Sequence, residues 1–279
     1  MYQNFVLSAF ADEADPSIDR QIEALRRNGI SFLEIRGVDG ENISKINAEK
    51  AKEVREKLDK AGIRVWSIGS PIGKIRQGDD LDRHFREYEN LLKCTGILGA
   101  KRIRMFSFYP KKGEDVGSVR EYALGSLEKL IAMTPDDVVL CHENEKGIFG
   151  QNAENCLLLH KTFPRIRAVF DPANFVQCGV DTLKAWEMLA PYVDYMHVKD
   201  ANADGAVVPP GEGLGHLPAL FEKFDAMGGG TLTLEPHLSA FVGLKALENG
   251  ESLKHGAHFD DSEAAFDFAA DALKKLIYS

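Results

Sequence analysis

The sequence predicts a closed parallel barrel of eight βα units, on three observations. Short runs rich in Val, Ile, Phe and Tyr recur eight times, segments with helical spacing lie between them, and no linker or composition break divides the 279 residues. The length is close to the roughly 250 residues typical of a (β/α)8 barrel. The whole chain, 1–279, therefore reads as a single α/β domain of that type.

The expected strands are Phe5–Ala9, Phe32–Arg36, Arg64–Ile68, Arg102–Phe106, Val138–Cys141, Ala168–Phe170, Tyr195–Val198 and Thr231–Leu234. Their starts are 27 to 38 residues apart, the size of one strand plus one crossover helix. The first helical segment, Pro16 to Asn28, places Ile18, Ile22 and Leu25 on one face and stops at Asn28-Gly29. The second, Asn47 to Ala61, has Asn47 as its cap, Ala51, Val54 and Leu58 as its stripe, and Gly62 as its stop. Leu81–Leu98, Gly117–Met133, Ala153–Phe163, Asp181–Leu189, Leu217–Met227 and Ser262–Ile277 complete the set. A doubly wound open sheet would bring a glycine-rich turn after its first strand, and SAFADEAD is not one.

Composition sets outer bounds. Hydrophobic residues at 44% and charged residues at 28% exclude a disordered or fibrous chain. A net charge of −9 argues against a nucleic-acid partner. No apolar run approaches the roughly 20 residues that span a bilayer, so no membrane partner is expected. MYQNFVLSAFADEAD does not read as a secretory leader, and the four cysteines form no CxxC pair; both point to a reduced, cytoplasmic protein.

In such a barrel the chemistry sits at the C-terminal strand ends. The fifth strand ends Cys-His-Glu-Asn-Glu, the sixth Phe-Asp-Pro-Ala-Asn, the seventh Met-His-Val-Lys-Asp and the eighth Leu-Glu-Pro-His. Strand alternation puts Thr231, Thr233, Glu235 and His237 on one face, opposite Leu232 and Leu234. It likewise puts Tyr195, His197 and Lys199 opposite Met196 and Val198. With the apolar parity against the helices, Glu235, His197 and Lys199 point to the axis. On the fifth strand parity leaves Glu143 and His142 open. Three carboxylates crowded at one barrel mouth repel unless a cation compensates. Glu143, Asp171, His197 and Glu235 would supply three oxygens and one imidazole, a set suited to one divalent ion, Mn2+, Mg2+ or Co2+, with Zn2+ also permitted.

The motifs HENE at 142–145, FDPAN at 170–174, HVKD at 197–200 and LEPH at 234–237, one per strand and in this order, resemble the xylose-isomerase-like barrel superfamily, in particular its sugar-phosphate isomerase/epimerase group. PPGEGLGH at 209–216 matches a Gly-x-Gly turn in the loop after the seventh strand. The resemblance covers essentially the whole chain. It implies that Glu143, Asp171, His197 and Glu235 bind the ion, and that Glu143 and Glu235 also move a proton between carbons of a keto sugar. Relatives commonly read Asp-x-x-His after the sixth strand, whereas this chain has Asn174, which can bind a hydroxyl but does not titrate near neutrality.

Further candidates are weaker. Lys199 is expected either to stabilise an enediolate oxygen or phosphate, or to pair with Asp200. Arg36 and Glu34 end the second strand and either enter the pocket or pair with each other. Trp66 is a candidate apolar wall beside the sugar, and His237 a substrate contact. The stretch 238–260 is long for a βα loop, as lids and subunit contacts are, which leaves a homo-oligomer open.

The expected activity is a metal-dependent isomerase or epimerase of a small keto sugar or sugar derivative. The alternative is a lyase that dehydrates a polyol ketone on the same site. A non-catalytic sugar-binding protein and an abasic-site endonuclease are further classes. The endonuclease branch uses additional His near the third and fourth strand ends, where this chain reads SIGSP (67–71) and FSFYP (106–110).

Overall fold

The computed structural model of the chain describes residue 2, residues 4–242, residue 259 and residues 261–278. Eight parallel strands close on themselves: β1 Phe5–Ala9, β2 Phe32–Ile35, β3 Arg64–Gly69, β4 Arg102–Met105, β5 Val139–Glu143, β6 Ile166–Phe170, β7 Val193–Val198 and β8 Gly230–Leu234. Each pairs with its chain neighbours, and β1 closes the ring on β8 from Phe5 opposite Gly230 to Ala9 opposite Leu234. This is a TIM barrel, the predicted fold.

The helices are α1 Ile18–Arg27, α2 Ala48–Ala61, α3 Leu81–Leu98, α4 Arg120–Met133, α5 Ala153–Thr162, α6 Pro172–Gln177, α7 Thr182–Leu189, α8 Leu217–Ala226 and α9 Ser262–Tyr278. Local chemistry sets several of their ends. Asn47 accepts the Lys50 N–H at the start of α2, and Gly62, at φ 73°, ends it in the left-handed conformation. Asp80 caps α3 through Arg83, and Asn152 caps α5 through Asn155. The opening of the expected segment, Gly117 to Val119, belongs to a 3-10 turn, Val116–Val119, instead. The short helix α6 is additional to the expected set. Asp171 caps it by accepting the Asn174 N–H, with Pro172 in its first turn, where a missing N–H has no consequence.

Two of the three apolar clusters among the described residues form the barrel wall and its axis. The larger lies between strands and helices, as with Met196, Val198, Leu232 and Leu234 packed outward. The smaller fills the barrel axis with Cys141, Val169 and Tyr195, flanked by Trp66 and Val139. Above it, toward the C-terminal ends, the interior becomes polar. Most of the 238–260 stretch expected as a lid or subunit contact, namely 243–258 and 260, lies outside the described residues. Among the described residues no helix is long and apolar enough to cross a membrane.

Candidate metal centre and active site

Strand alternation delivers four donors to one point. On β5 the parity question is answered: Val139 and Cys141 join the axial cluster, so Glu143 also faces inward, while His142 points outward to Ser107 Oγ at 3.0 Å. Asp171 follows β6, His197 is the fifth residue of β7, and Glu235 follows β8. All four are at most 2% exposed, and one donor atom from each lies within 4.8 Å of the others. The Nδ1 of His197 faces the group, 3.2 Å from Glu143 Oε1, 3.5 Å from Glu235 Oε2 and 4.0 Å from Asp171 Oδ2.

Three permanent cations surround these donors. Lys199 Nζ lies 2.9 Å from Asp171 Oδ2 and 3.1 Å from Glu235 Oε2. Arg104 Nη1 donates to Glu143 Oε2 at 2.7 Å, and its Nε is buried with no partner. Arg36 donates from Nε and Nη2 to the two oxygens of Asp12, from Nη2 to Glu13 Oε1 at 3.0 Å, and from Nη1 to Glu235 Oε1 at 3.0 Å. The cluster thus buries six carboxylates, Asp12, Glu13, Glu34, Glu143, Asp171 and Glu235, against Arg36, Arg104 and Lys199. That imbalance shifts the acidities of the site's own groups. Burial, with repulsion from Glu143 and Glu235, pushes Asp171 up to about 7 despite Lys199. Burial opposes ionisation of Glu143 too, but His197 and Arg104 outweigh it and hold that carboxyl below the usual range. Burial likewise disfavours the imidazolium of His197, and Glu143 and Glu34 overcome it, raising His197 well above its ordinary value.

The donor set fits a divalent ion. Asp171 Oδ2 is buried without a well-formed hydrogen bond, because the nearby Lys199 ammonium is close but off line. Three carboxylate oxygens and one imidazole nitrogen match hard or borderline ions, and an added charge of two would offset most of the excess of carboxylates.

The other candidates divide. Lys199 enters the site and does not pair with Asp200. Asp200 instead accepts the backbone N–H groups of Ala201, Gly211, Gly213 and Gly215, folding the PPGEGLGH loop around itself. A Cβ at Gly213 would lie 2.3 Å from Asp200 Oδ1, which is why this turn needs glycine. Of the two readings left open for Glu34 and Arg36, the mutual pair is not formed. Arg36 reaches across to Glu235, while Glu34 accepts from Tyr195 Oη at 2.7 Å. Asn174 touches the site through Nδ2, which donates to Glu143 Oε1 at 3.2 Å and to the Asn144 carbonyl at 2.9 Å. His237 stacks on Phe241, with Nε2 3.3 Å from Glu13 and 3.6 Å from Glu235. Trp66 is a correction. It faces the axis but from the third position of β3, so it packs on Phe32, Tyr195 and Arg102 in the lower half of the barrel and forms no wall of the carboxylate site.

Asp12, Glu13, Arg104 and Phe10 escaped the sequence reading. The alternation of Arg102 and Arg104 with Ile103 and Met105 carried the same inward signal as Glu235. Phe10 lies edge-on to His197 at 5.1 Å and under Arg36 at 4.4 Å. Gly69 makes its room, since a Cβ there would lie 2.5 Å from the ring.

Solved structures share the whole architecture. A D-allulose 3-epimerase from Methylomonas sp. aligns with TM-score 0.75 at 16% identity, over 99% of both chains. The probable 3-DHS dehydratase of petrobactin synthesis from Bacillus anthracis gives 0.71 at 14%, over 96% of this chain and 98% of that one. A xylose isomerase-like TIM barrel protein from Mycobacterium smegmatis in complex with magnesium gives 0.67 at 13%, over 99% and 100%. At these identities the likeness is one of fold. No curated protein matches the chain significantly. The family profile for xylose isomerase-like TIM barrels, in contrast, matches residues 22–276, and the chain belongs to that family.

Proposed function

We propose that the protein is a metal-dependent isomerase or epimerase of a small keto sugar or sugar derivative. The observation that supports this reading best is the pairing of two buried carboxylates, Glu143 and Glu235, across one centre, each held by its own arginine. Moving a proton α to a carbonyl needs a base on one side of the carbon and an acid on the other. A divalent ion held by Glu143, Asp171, His197 Nδ1 and Glu235 would supply positive charge to the carbonyl and hydroxyl oxygens of the sugar, which lowers the cost of an enediolate. Glu143 and Glu235 take and return the proton. Lys199 keeps Asp171 and Glu235 in place, and Asn174 orients Glu143. Burial of all these groups excludes bulk water and strengthens each charge interaction. The epimerase among the structural neighbours agrees with this chemistry.

Dehydration of a polyol ketone is the second reading. It is favoured by the dehydratase among the neighbours. A panel of unphosphorylated and phosphorylated ketoses, incubated in D2O with Mn2+, tests both. Deuterium gain without mass loss identifies the isomerase or epimerase, and loss of water identifies the lyase. Substrates recovered unlabelled across the panel would sink the proton-transfer reading.

A further inference from the structure

We propose that Glu34 is a positioning residue of the metal centre. Its carboxylate holds the Nε2–H and the plane of the His197 imidazole, so that Nδ1 is the nitrogen left to an ion among Glu143, Asp171 and Glu235. The inference rests on the metal reading above and deepens it by reaching one layer behind the ligands.

Glu34 is fully buried on β2, on the far side of the His197 ring from the donor cluster. Its two oxygens serve two partners: Oε1 accepts from Tyr195 Oη at 2.7 Å, and Oε2 lies 3.2 Å from His197 Nε2. Tyr195 Oη is itself 3.2 Å from Ser67 Oγ, so the carboxylate is anchored from β7 and, through that hydroxyl, from β3. Among the described residues no lysine or arginine forms an ion pair with Glu34; His197 is its one basic partner. Oε1 already accepts the Tyr195 hydroxyl hydrogen, which leaves Oε2 as the acceptor for the imidazole nitrogen that faces it. With Nε2–H held on Glu34, the proton that a divalent ion would displace is the one on Nδ1, the nitrogen 3.2–4.0 Å from the three carboxylates. Phe10 and Tyr195 pack edge-on against the ring at 5.1 and 5.6 Å and block its rotation. The nitrogen opposite a metal-bound one on a histidine ring is commonly held by a carboxylate, and removing such partners weakens metal binding about 10- to 100-fold.

The test uses the full chain stripped of metal and titrated with Mn2+, free ion being followed by electron paramagnetic resonance. Glu34→Leu should weaken affinity about 10- to 100-fold against wild type. Glu34→Gln should fall between them, because its amide oxygen can still accept from Nε2 while its NH2 turns to the Tyr195 hydroxyl. At saturating Co2+ the visible absorption bands of Glu34→Gln should shift from those of wild type, a signature that loss of packing alone would not give. If Glu34→Leu does not fold, Glu34→Gln and its Co2+ spectrum decide. Wild-type affinity and spectrum in the Glu34 variants would reduce Glu34 to a partner for Tyr195 and overturn the inference. A wild-type protein that binds no Mn2+, with His197→Ala no different, would instead remove the metal reading and this inference with it.

Discussion

Arg102 and Arg104 stand two residues apart on β4, share one parity and point into the same barrel, yet they belong to different worlds. Arg102 lies at the N-terminal end, 3.9 Å over the Trp66 ring and ion-paired with Asp194. It borders a cavity of about 240 Å3 with Phe32, Arg64 and Lys101. Arg104 is one layer higher, buried, and bound to Glu143. Rings cover cations in both layers, since Arg36 and Arg104 also lie over Phe10, but in the lower layer Arg102 is partly reached by water. In the upper layer they are surrounded by carboxylates and cut off from it. The contrast shows that neither residue type nor facing decides a role in this fold. Height along the strand does, because the C-terminal ends are where the loops can complete a site.

The sharpest break between the layers is expected in turnover. Glu143→Gln and Glu235→Gln keep side-chain shape and one donor oxygen but cannot accept a proton. Each should lower turnover of an identified substrate by about 100- to 10,000-fold. In D2O, the variant that lacks the base should fail to exchange, whereas one that lacks only the returning acid should exchange without net conversion. Trp66→Phe, in the lower layer, should leave kcat within about threefold of wild type, well short of a general acid–base loss. Near wild-type turnover in either Gln variant would end the two-carboxylate mechanism.

Stability should separate the two arginines next. Arg104→Met removes the guanidinium from Glu143, which is 1% exposed and keeps only His197 and Asn174 as partners. Breaking a buried pair by removing one partner costs about 3–5 kcal/mol. Arg102→Met removes a pair that keeps some solvent contact and one cation–π contact, together about 1–2 kcal/mol. Denaturant unfolding of the metal-free proteins should therefore order them wild type, Arg102→Met, Arg104→Met. The reverse order would mean that the lower layer carries more of the fold.

The same contrast explains what the sequence made legible. Glu143, Asp171, His197 and Glu235 could be read because each marks the place where an apolar run stops, a local signal repeated on four adjacent strands. The ends of α2 were legible for a similar reason, since Asn47 and Gly62 act within one turn of the chain. Arg104 carried the inward parity, but it lies within its strand and not where an apolar run stops. Asp12 and Glu13 lie in the 3-10 turn Ala11–Glu13, which has no periodicity to interpret. The choice of partner by Arg36 was beyond reach for a different reason. Its guanidinium joins Asp12 and Glu235, 24 and 199 residues away in the chain, and only closure of β1 on β8 brings them together.

The smallest contrast runs across the barrel wall, between Glu143 facing the site and His142 facing the helices. His142 and His160 sit 6.1 Å apart behind β5, and burial pushes them down to about 3 and about 4. His160 Nδ1 lies 3.2 Å from the Ile166 carbonyl, and its Nε2 is buried without a partner, so a second proton there would find no acceptor. A histidine with a depressed folded pKa leaves stability unaffected above its unfolded value near 6.5 and lowers it as pH falls from there toward the folded value. Between pH 7 and 5 the unfolded chain gains most of a proton at this position and the folded one almost none, a loss of about 2 kcal/mol. Glu13 and Asp171, raised to about 8 and about 7, act in the opposite sense over part of this range, so the total slope of the wild type mixes both. The difference from His160→Gln isolates the histidine. That amide can still donate to Ile166 and does not titrate. Its unfolding free energy should therefore fall by about 2 kcal/mol less than that of wild type when the pH is lowered from 7 to 5. Equal falls in the two proteins would mean that His160 takes up its proton without unfolding and that the outer face of β5 is wetter than the packing indicates.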